Sequence, residues 1–448
     1  MSKRPMNIQL SDHFNYRRLF RFTLPSIVMM IFISIYGVVD GLFVSNFVGK
    51  TPFAAINLVM PFIMILGGVG FMIGTGGSAL VSKTMGQNEP EKANRIFSMM
   101  IELTLLVGAL LSIVGIVFIE PIARLFGASE AMLPECVLYG RIVLAFNAAF
   151  MLQNVFQAFL VTAERPHMGL YVTVAAGVTN MVLDALFIAV FKWGVAGAAI
   201  ATGLSQCVGG LIPLIYFMRP NKSPLRLKPS ALQLPSILQA CANGSSELMS
   251  NISGSLVSIA YNAQLMKYAG ENGVAAYGVL MYVQFIFVAI DVGYAVGCAP
   301  IVGYHYGAQN HGELKNMLRK SLFLMSISGV MLTLLAAALA APLARLFVGY
   351  DQALFDMTRH AFRLFSLSFL LAGINIYVSS FFTALNNGAV SVIVSFLRTL
   401  VFQMLCVLVL PIFFGIDGIW WAMAVAEMFA FILSLSFLIV KRNKYHYM

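Results

Sequence analysis

The stretch YVTVAAGVTNMVLDALFIAV, from Tyr171 to Val190, decides how the chain is organised. Extended by Met168-Gly169-Leu170, it is long and apolar enough to cross a bilayer as a helix. It nevertheless contains Asn180 and Asp184, whose spacing places both side chains on one helix face, one turn apart. A carboxylate inside a span costs about 2.5–3.5 kcal/mol on insertion scales, so it normally faces a protein interior or a watery cavity. The stretch therefore predicts one wall of a cation site in a transporter.

The composition of the whole chain indicates a polytopic membrane protein. Of its 448 residues, 60% are hydrophobic and 10% are charged, with a mean hydropathy of +0.86. Soluble domains carry about 25% charged residues, and transmembrane barrels show short alternating segments instead of long apolar runs. Twelve long apolar runs are visible, the last two at about 389–414 and 418–440. The sequence predicts an all-α fold of twelve transmembrane helices.

An internal repeat divides these spans into two sets of six. A fixed offset of 221 residues relates Gly49 to Gly270, Gly86 to Gly307, Asn154 to Asn375, and Gly194 to Gly415. Because six is even, both halves cross the membrane in the same direction, as pseudo-symmetric bundles around a central cavity. The expected organisation is an N-terminal lobe over 1–220, a cytoplasmic linker over 221–235, and a C-terminal lobe over 236–448. Duplicated bundles of this kind suit alternating access.

The basic residues predict the orientation. Of the 28 Lys and Arg residues, 19 fall on the side that carries both termini, and eight on the opposite side. The positive-inside rule then places both termini in the cytoplasm, in a multi-pass protein of a prokaryotic cell membrane. Because the net charge of +10 is accounted for by this bias, we expect no nucleic-acid partner. The expected partners are the lipid bilayer and small molecules, with the chain acting as a monomer.

Several motifs resemble one transporter family. They are Pro25-Ser26, VDGLFVSNFVG with Asp40, the loop MGQNEPEKA with its repeat partner YGAQNHGELK, and GVAGAAIATGLSQ from Gly194 to Gln206. Together they resemble the multidrug and toxic compound extrusion (MATE) transporters along essentially the whole chain, and most closely the prokaryotic branch of DNA-damage-inducible type. The resemblance implies a secondary antiporter that exports lipophilic, cationic drugs or toxic metabolites in exchange for H⁺ or Na⁺. It implies no enzyme activity, no metal and no cofactor.

The resemblance also implies a cation site in the first half. Its positions read Asp40 on span 1, Asn180 and Asp184 on span 5, and Thr202 on span 6, with Tyr36 one turn before Asp40. At about 1.5 Å per residue, both carboxylates fall about two thirds of the way across the membrane. They could ligate a cation, share a proton, or belong to a static hydrogen-bond network. Asn154 counts to a shallower depth, where it extends the network or joins two helices.

Other side chains are candidates for the substrate cavity. Glu247 lies near mid-membrane, where it could attract a cationic drug or carry a proton. Flexible and aromatic side chains suit organic cations of varied shape; the candidates are Met60, Met64, Tyr277, Met281, Tyr282 and Phe285. Asn375, a further candidate for the cavity, stands where the other large branch of the family has an aspartate, which argues against a second-half sodium site. For each of these residues, plain packing remains the alternative.

Arg398 and Glu427 fall at mid-depth on spans 11 and 12, which predicts a buried structural ion pair. Asp291, nearer the cytoplasmic third of span 8, could simply reach water. A lipid or lipid-linked sugar flippase of related architecture is the main alternative, but it would need several basic residues in its cavity, and only Arg398 lies at mid-depth. An intramembrane enzyme would need a nucleophile with a base, which is not recognisable here. No GxxxxGK[ST] loop for ATP is present.

Overall fold

Long helices build the computed structural model, which describes residues 8–448 without the side chains of Val38, Leu42, Ser45, Asn46 and Lys50. Lys3 and Arg4, which entered the charge count, lie outside the described residues. We number the spans α1 to α12. In the first lobe they are α1 Tyr16–Phe47, α2 Lys50–Gly86, α3 Pro90–Leu125, α4 Leu133–Ala145 with Asn147–Thr162, α5 Pro166–Asp184 with Ala185–Val190, and α6 Gly194–Met218.

The second lobe begins with one helical stretch, Leu234–Gly307, that changes direction at Gly270. We call its two arms α7 (234–269) and α8 (271–307). The remaining spans are α9 His311–Val348, α10 Gln352–Phe365 with Ser366–Ser368 and Phe369–Ala384, α11 Gly388–Phe396 with Leu397–Phe402 and Gln403–Phe414, and α12 Ile416–Tyr445. Within residues 8–448 no strand is present. The predicted all-α fold of twelve spans is confirmed.

The helix ends follow the local sequence. Pro90 and Pro166 each occupy the first helical position, where a missing N–H costs nothing. Asn15 caps α1 by accepting the N–H of Arg18 at 2.9 Å, and Asn310 caps α9 by accepting the N–H of Glu313 at 3.1 Å. Between such ends the helices satisfy their own backbone groups, which the bilayer requires.

The repeat recurs in the turns that join the helices. Gly49 and Gly270 both have positive φ, at 116° and 60°, and so do Gly194 and Gly415, at 57° and 58°. Both pairs are separated by the offset of 221 residues. Glycine adopts this region without the steric cost that a Cβ brings. The two lobes, α1–α6 and α7–α12, therefore share their turn geometry as well as their helix order.

The lobes meet closely at the end of the bundle that carries both chain ends, which we call the termini side. A Cβ at Gly86 of α2 would stand 2.0 Å from the Tyr304 oxygen of α8, and one at Gly307 of α8 would stand 1.9 Å from the Lys83 oxygen of α2. Gly86 and Gly307 are themselves related by the offset of 221. Only glycine permits two backbones to approach so closely.

The opposite end, the far side, is less tightly closed. At Gly37 and Gly41 of α1, and at Gly254 and Gly278 of the second lobe, no described atom lies within 4 Å of where a Cβ would stand. Phe285 on α8 is 67% exposed. At these positions of α1, α7 and α8 the described helices are therefore packed less closely than at Gly86 and Gly307.

Residues 219–233, which link α6 to α7, run along the first turns of α3. The backbone N–H groups of Arg226 and Lys228 donate to Asn94 Oδ1 and Ser98 Oγ, both at 2.8 Å. Ser230 Oγ donates to Glu102 Oε2 at 3.0 Å. Since Asn94, Ser98 and Glu102 are each one turn apart, a single face of α3 holds the linker.

The N-terminal segment, residues 8–15, is held in a similar way by hydrogen bonds to both lobes. The Phe14 N–H donates to Glu313 Oε1 of α9 at 2.9 Å, and the Leu10 N–H donates to Glu164 Oε1 in the α4–α5 turn at 2.8 Å. Leu10 and Phe14 are fully buried. The segment thus ties the two lobes together on the termini side.

Candidate functional site

A pair of carboxyl groups lies between α1 and α5. Asp40 of α1 and Asp184 of α5 approach within hydrogen-bonding reach of each other. The side chain of Asp184 is 0% exposed. Both of its oxygens, and Asp40 Oδ1, have no hydrogen-bond donor among the described residues. Buried carboxylates normally receive such donors, and these three oxygens receive none from the described residues.

The local structure of α5 changes at this pair. The α-helix ends at Asp184 and continues as a π-helical stretch over Ala185–Val190. Insertions of this kind are rare, and they are frequent at functional sites because they re-aim side chains and free backbone groups. Helix α5 therefore departs from regular α-helical geometry immediately after Asp184.

The other predicted members of the cation site surround the pair. Asn180 is buried one turn before Asp184. Tyr36 lies one turn before Asp40, and its ring closely approaches Gly177 of α5, where a Cβ would stand 3.1 Å from Tyr36 Cδ1. Thr202 on α6 is partly exposed, and its side chain lies near the hydroxyl of Tyr139.

Tyr139 and Gln153 belong to this environment, although the sequence did not identify them. The hydroxyl of Tyr139 on α4 lies within hydrogen-bonding reach of the Thr202 side chain and near both carboxyl groups. The side chain of Gln153 reaches the hydroxyl of Tyr36. Both residues are polar and buried in span 4, which was the available signal. Their convergence depends on a bend of 55° between the two parts of α4, which no residue count supplies.

The electrostatics of the pair favour binding of positive charge. No described Lys, Arg or His forms an ion pair with Asp40 or Asp184. Two unit charges 4 Å apart repel by about 4 kcal/mol at an effective dielectric constant of 20. One proton shared between the carboxyl groups would remove this repulsion.

A metal ion is a more demanding occupant. Within the described residues there is no group of three or more His, Cys, Asp and Glu side chains placed to hold one. Sodium would therefore need neutral oxygens, such as those of Asn180, Thr202 and Tyr139, in addition to the two carboxylates. The donor set allows a hard cation but does not require one.

Asn154 makes a contact with another helix. Its amide donates to the Gly67 oxygen of α2 at 3.1 Å, and its side chain is buried. The bond fixes α4 against α2 next to Gln153. Asn154 therefore positions the helix that carries Gln153 and Tyr139, whatever further part it has.

The residues suggested for a substrate cavity do not form one cluster. Met64, Tyr282 and Phe285 are exposed, whereas Met60, Met281 and Glu247 are partly exposed. Tyr277 is buried and stacks on Tyr261 with ring centroids 5.0 Å apart. No described hydrogen bond or ion pair involves the carboxylate of Glu247.

The second lobe contains a different polar cluster. Arg398 of α11 contacts Glu427 of α12 through Nη2 at 2.8 Å and through Nε at 2.9 and 3.0 Å. The amide of Asn375 donates to Glu427 Oε2 at 2.7 Å, and its oxygen accepts from Ser434 Oγ at 3.1 Å. Asn375 is 0% exposed. Its side chain is thus engaged inside the second lobe.

Comparison with known families matches both halves of the chain. The profile of the family described as MatE matches residues 25–186 and 248–409. Among curated proteins, the chain is similar to the multidrug export protein MepA of Staphylococcus aureus strain MRSA252. The two are 23% identical over 426 residues, which cover 92% of this chain and 91% of that protein. The MepA of Staphylococcus saprophyticus is 24% identical over 417 residues, with the same coverage.

Solved structures share the fold over the full length. One is described as the outward-facing conformation of a multidrug resistance MATE family transporter of the MOP superfamily. It has a TM-score of 0.93 and 22% identity, and it covers 100% of both chains. Another, a MOP superfamily transporter from Pyrococcus furiosus described as having a binding pocket of reverse polarity, has a TM-score of 0.89 and 22% identity. The match covers 98% of this chain and 99% of that one.

Proposed function

Because this chain belongs to the MatE family of transporters, whose profile covers most of both lobes, we propose that it exports lipophilic organic cations in exchange for protons or sodium ions. The MepA relatives are named as multidrug exporters, which supports drugs or toxic metabolites as the cargo. A transporter of this kind needs no cofactor, and the coupling ion enters and leaves with each cycle.

The observation that carries this proposal is the pair Asp40 and Asp184. Two carboxyl groups face each other in the membrane interior without a cationic partner among the described residues. Acids buried in a membrane protein are costly unless they serve transport or are paired. A proton or sodium ion that binds reversibly between the two carboxyl groups would supply the missing positive partner during part of each transport cycle.

The coupling would act through the packing of α1, α5 and α6. With the pair empty, the carboxylates repel each other, and Asp40 Oδ1 and both oxygens of Asp184 receive no hydrogen bond from the described residues. With a proton or sodium ion bound, the repulsion disappears and the helices can close around it. If binding of the ion weakens binding of the cargo, binding of the cargo must weaken binding of the ion, because linkage between two binding sites is reciprocal.

A gap between the lobes on the far side would hold the cargo. Glu247, which has no described partner, supplies a negative charge for a cationic drug. Exposed side chains that could contact an apolar ring are Met64, Tyr282 and Phe285, with Met60 and Met281 beside them. Tyr277 and Asn375 would support these surfaces from inside the second lobe.

We assign the termini side to the cytoplasm of the cell membrane, because the sequence assigns 19 of the 28 Lys and Arg residues to the side of the two termini. The gap on the far side then faces outward, and the helix contacts at Gly86 and Gly307 close the cytoplasmic side. In this conformation the protein would release cargo and load the coupling ion. Alternating access would require the contacts on the termini side to separate in the next step.

A flippase for lipid-linked sugars is the alternative with a related architecture. It would need several cations in the gap to bind a diphosphate. In the sequence, Arg398 is the basic residue that falls at mid-depth within a span. Its guanidinium is bound to Glu427 in the second lobe. This arrangement favours a cationic cargo over an anionic one.

The test is transport of a fluorescent lipophilic cation by inverted membrane vesicles that contain the protein, with proton and sodium gradients imposed separately. We expect at least one gradient to drive accumulation above that of vesicles without the protein. The exposed-site variant Asp356→Asn serves as a control for expression and should behave like the parent. Absence of gradient-driven accumulation of any tested cation, in correctly folded protein, would contradict the proposal.

A further inference from the structure

A third intramembrane aspartate lies outside the pair described above. Asp291 of α8 is 0% exposed, in the interior of the second lobe. Ser328 Oγ of α9 donates to its Oδ1 at 2.9 Å. Its Oδ2 has no hydrogen-bond partner among the described residues. The carboxyl group is therefore enclosed, with one oxygen satisfied and one not.

The backbone of α10 closes over this carboxyl group. A Cβ at Gly373 would stand 2.9 Å from Asp291 Cγ and 3.0 Å from its Oδ2. This close approach leaves little room for a metal ion with several ligands. A proton needs no such room. In addition, no described group of three His, Cys, Asp or Glu side chains is placed to hold a metal.

The charged groups that face Asp291 are Arg398 from α11 and Glu427 from α12. Arg398 binds both oxygens of Glu427, and Asn375 donates to the same carboxylate. Glu427 is therefore stabilised in its charged form, and Arg398 is committed to it. Two acids and one arginine leave a net charge of −1 in the buried cluster unless one acid is protonated.

We propose that Asp291 is a second proton-binding site, located in the second lobe and separate from Asp40 and Asp184, and that it holds its proton in this conformation. Asp291 is the acid that takes the proton because it lacks the arginine and amide donors of Glu427. An isolated ionised carboxylate in such surroundings would neutralise instead of remaining charged. The proposal rests on the second lobe alone and does not depend on the transport function.

The position of Asp291 also links this proton to the contact between lobes. Two residues further along α8, a Cβ at Gly293 would stand 2.5 Å from the Ile27 Cα of α1. Helix α8 therefore presents Asp291 to its own lobe and Gly293 to the helix that carries Asp40. Loss of the proton would charge the interior face of a helix whose other face is packed against the first lobe.

The test uses the Asp40→Asn/Asp184→Asn protein, reconstituted in lipid, with aspartate labelled by ¹³C at the side-chain carboxyl carbon. Of the seven aspartates in the sequence, this background retains Asp291 and four others, Asp12, Asp351, Asp356 and Asp417, which are all partly or fully exposed. Exposed aspartates are ionised at neutral pH. Any protonated aspartic acid seen at neutral pH by infrared spectroscopy must therefore come from Asp291.

We expect a C=O stretching band of a protonated carboxyl group that shifts with the ¹³C label, and we expect Asp291→Asn in the same background to remove it. Asparagine resembles the protonated acid in size and charge, so this variant should fold. If it does not, the label-dependent band in the Asp40→Asn/Asp184→Asn protein still decides the question. Absence of that band at neutral pH, or its persistence in folded Asp291→Asn protein, would overturn the proposal. Neither result depends on transport, so failure here is distinguishable from failure of the proposed antiport.

Discussion

The two lobes have the same order of helices, but their buried charged residues differ in sign and in pairing. In the first lobe, α5 turns into a π-helical stretch after Asp184, and its carboxylate faces Asp40 with no cation among the described residues. In the second lobe, α11 contains a π-helical stretch over Leu397–Phe402, and it carries Arg398, which binds Glu427. The fifth helix of each lobe is thus irregular at a charged residue, but with opposite sign.

This difference separates a site that can change its charge from one that cannot easily do so. A pair of carboxylates with no basic side chain beside it is stabilised by each proton or cation that it binds. A carboxylate that accepts hydrogen bonds from an arginine and an amide, as Glu427 does, is already compensated, and breaking the ion pair leaves a buried charge. On this account the Asp40–Asp184 pair can exchange ions while the Arg398–Glu427 pair holds α11 against α12.

The largest expected effect comes from removing the charge of the first-lobe pair. In the Asp40→Asn/Asp184→Asn variant, gradient-driven efflux of a lipophilic cation should fall to the level of vesicles without the protein, because no ion can then be coupled. The midpoint of thermal unfolding should stay the same or rise, since the repulsion between the carboxylates is gone. Vesicle transport and thermal unfolding of the same preparations measure both.

The exposed aspartate variant Asp356→Asn is the matched control and should retain efflux. Full gradient-driven efflux in the double variant would contradict the assignment of ion coupling to the first-lobe pair. A large loss of thermal stability would do the same, since it would make the first-lobe pair structural.

The next effect should appear in stability, and in the second lobe. Glu427→Gln leaves the Arg398 charge buried without its carboxylate, which should cost about 3–5 kcal/mol and reduce expression and thermal stability. The double variant Arg398→Met/Glu427→Leu removes both charges and should recover most of this loss. Quantities of folded protein and unfolding midpoints in detergent provide the measurement. Normal expression of Glu427→Gln together with lost transport would instead place this pair in the transport cycle.

A smaller effect distinguishes tyrosines of the two lobes. Tyr139→Phe removes a hydroxyl that bonds Thr202 beside the acid pair, and a hydrogen bond contributes about 0.5–1.5 kcal/mol. We therefore expect a shift of roughly 2-fold to 10-fold in the ion concentration that half-activates efflux. The matched change in the second lobe, Tyr377→Phe, alters a hydroxyl 4.0 Å from Cys298 Sγ and should leave that concentration unchanged. Equal shifts in the two variants would mean that Tyr139 acts through packing only.

The smallest effect concerns the two glutamates that hold the N-terminal segment. Burial raises the pKa of Glu164, and its hydrogen bond from the Leu10 N–H opposes this shift. A carboxyl group with a raised pKa in the folded state favours folding at low pH, and this contribution is lost as the pH rises through the folded pKa. Glu164→Gln should therefore reduce the decline in thermal midpoint from acidic to neutral pH.

Glu313 in the second lobe is the matched comparison, because it accepts from Phe14 N and also contacts His13 Nδ1 at 2.6 Å. Glu313→Gln should lower the thermal midpoint at neutral pH, because charge-assisted bonds are lost. An identical pH dependence in the parent and Glu164→Gln would show that the buried carboxyl group of Glu164 has no linkage to folding.

Much of the architecture could be predicted from the sequence, because the bilayer demands long apolar helices. The twelve spans followed from such runs, and Gly49 and Gly270 indicated the repeat. The spacing of Asn180 and Asp184 placed them on one face of α5. For Arg398 and Glu427, equal depth on neighbouring spans was enough to suggest the contact that is observed at 2.8 Å.

The rest depends on geometry that residue counting does not contain. Tyr139 approaches the acid pair only because α4 bends by 55° near Phe146. The π-helical stretch after Asp184 has no distinct sequence signal in an apolar run. Nothing in the sequence indicates that Asn375 is engaged inside the second lobe, because the partner that binds it lies 52 residues away on α12. The docking of residues 219–233 on α3 likewise arises from long-range hydrogen bonds.

The most direct test of ion exchange at Asp40 and Asp184 is a measurement of ion release on cargo binding. Purified protein in weakly buffered detergent solution, loaded at acidic pH or with sodium, is mixed with a lipophilic cation while pH and free sodium are recorded. We predict that the parent releases protons or sodium on binding, and that Asp40→Asn/Asp184→Asn binds the cation but releases neither. Equal ion release from both proteins would contradict the role given to the two carboxylates.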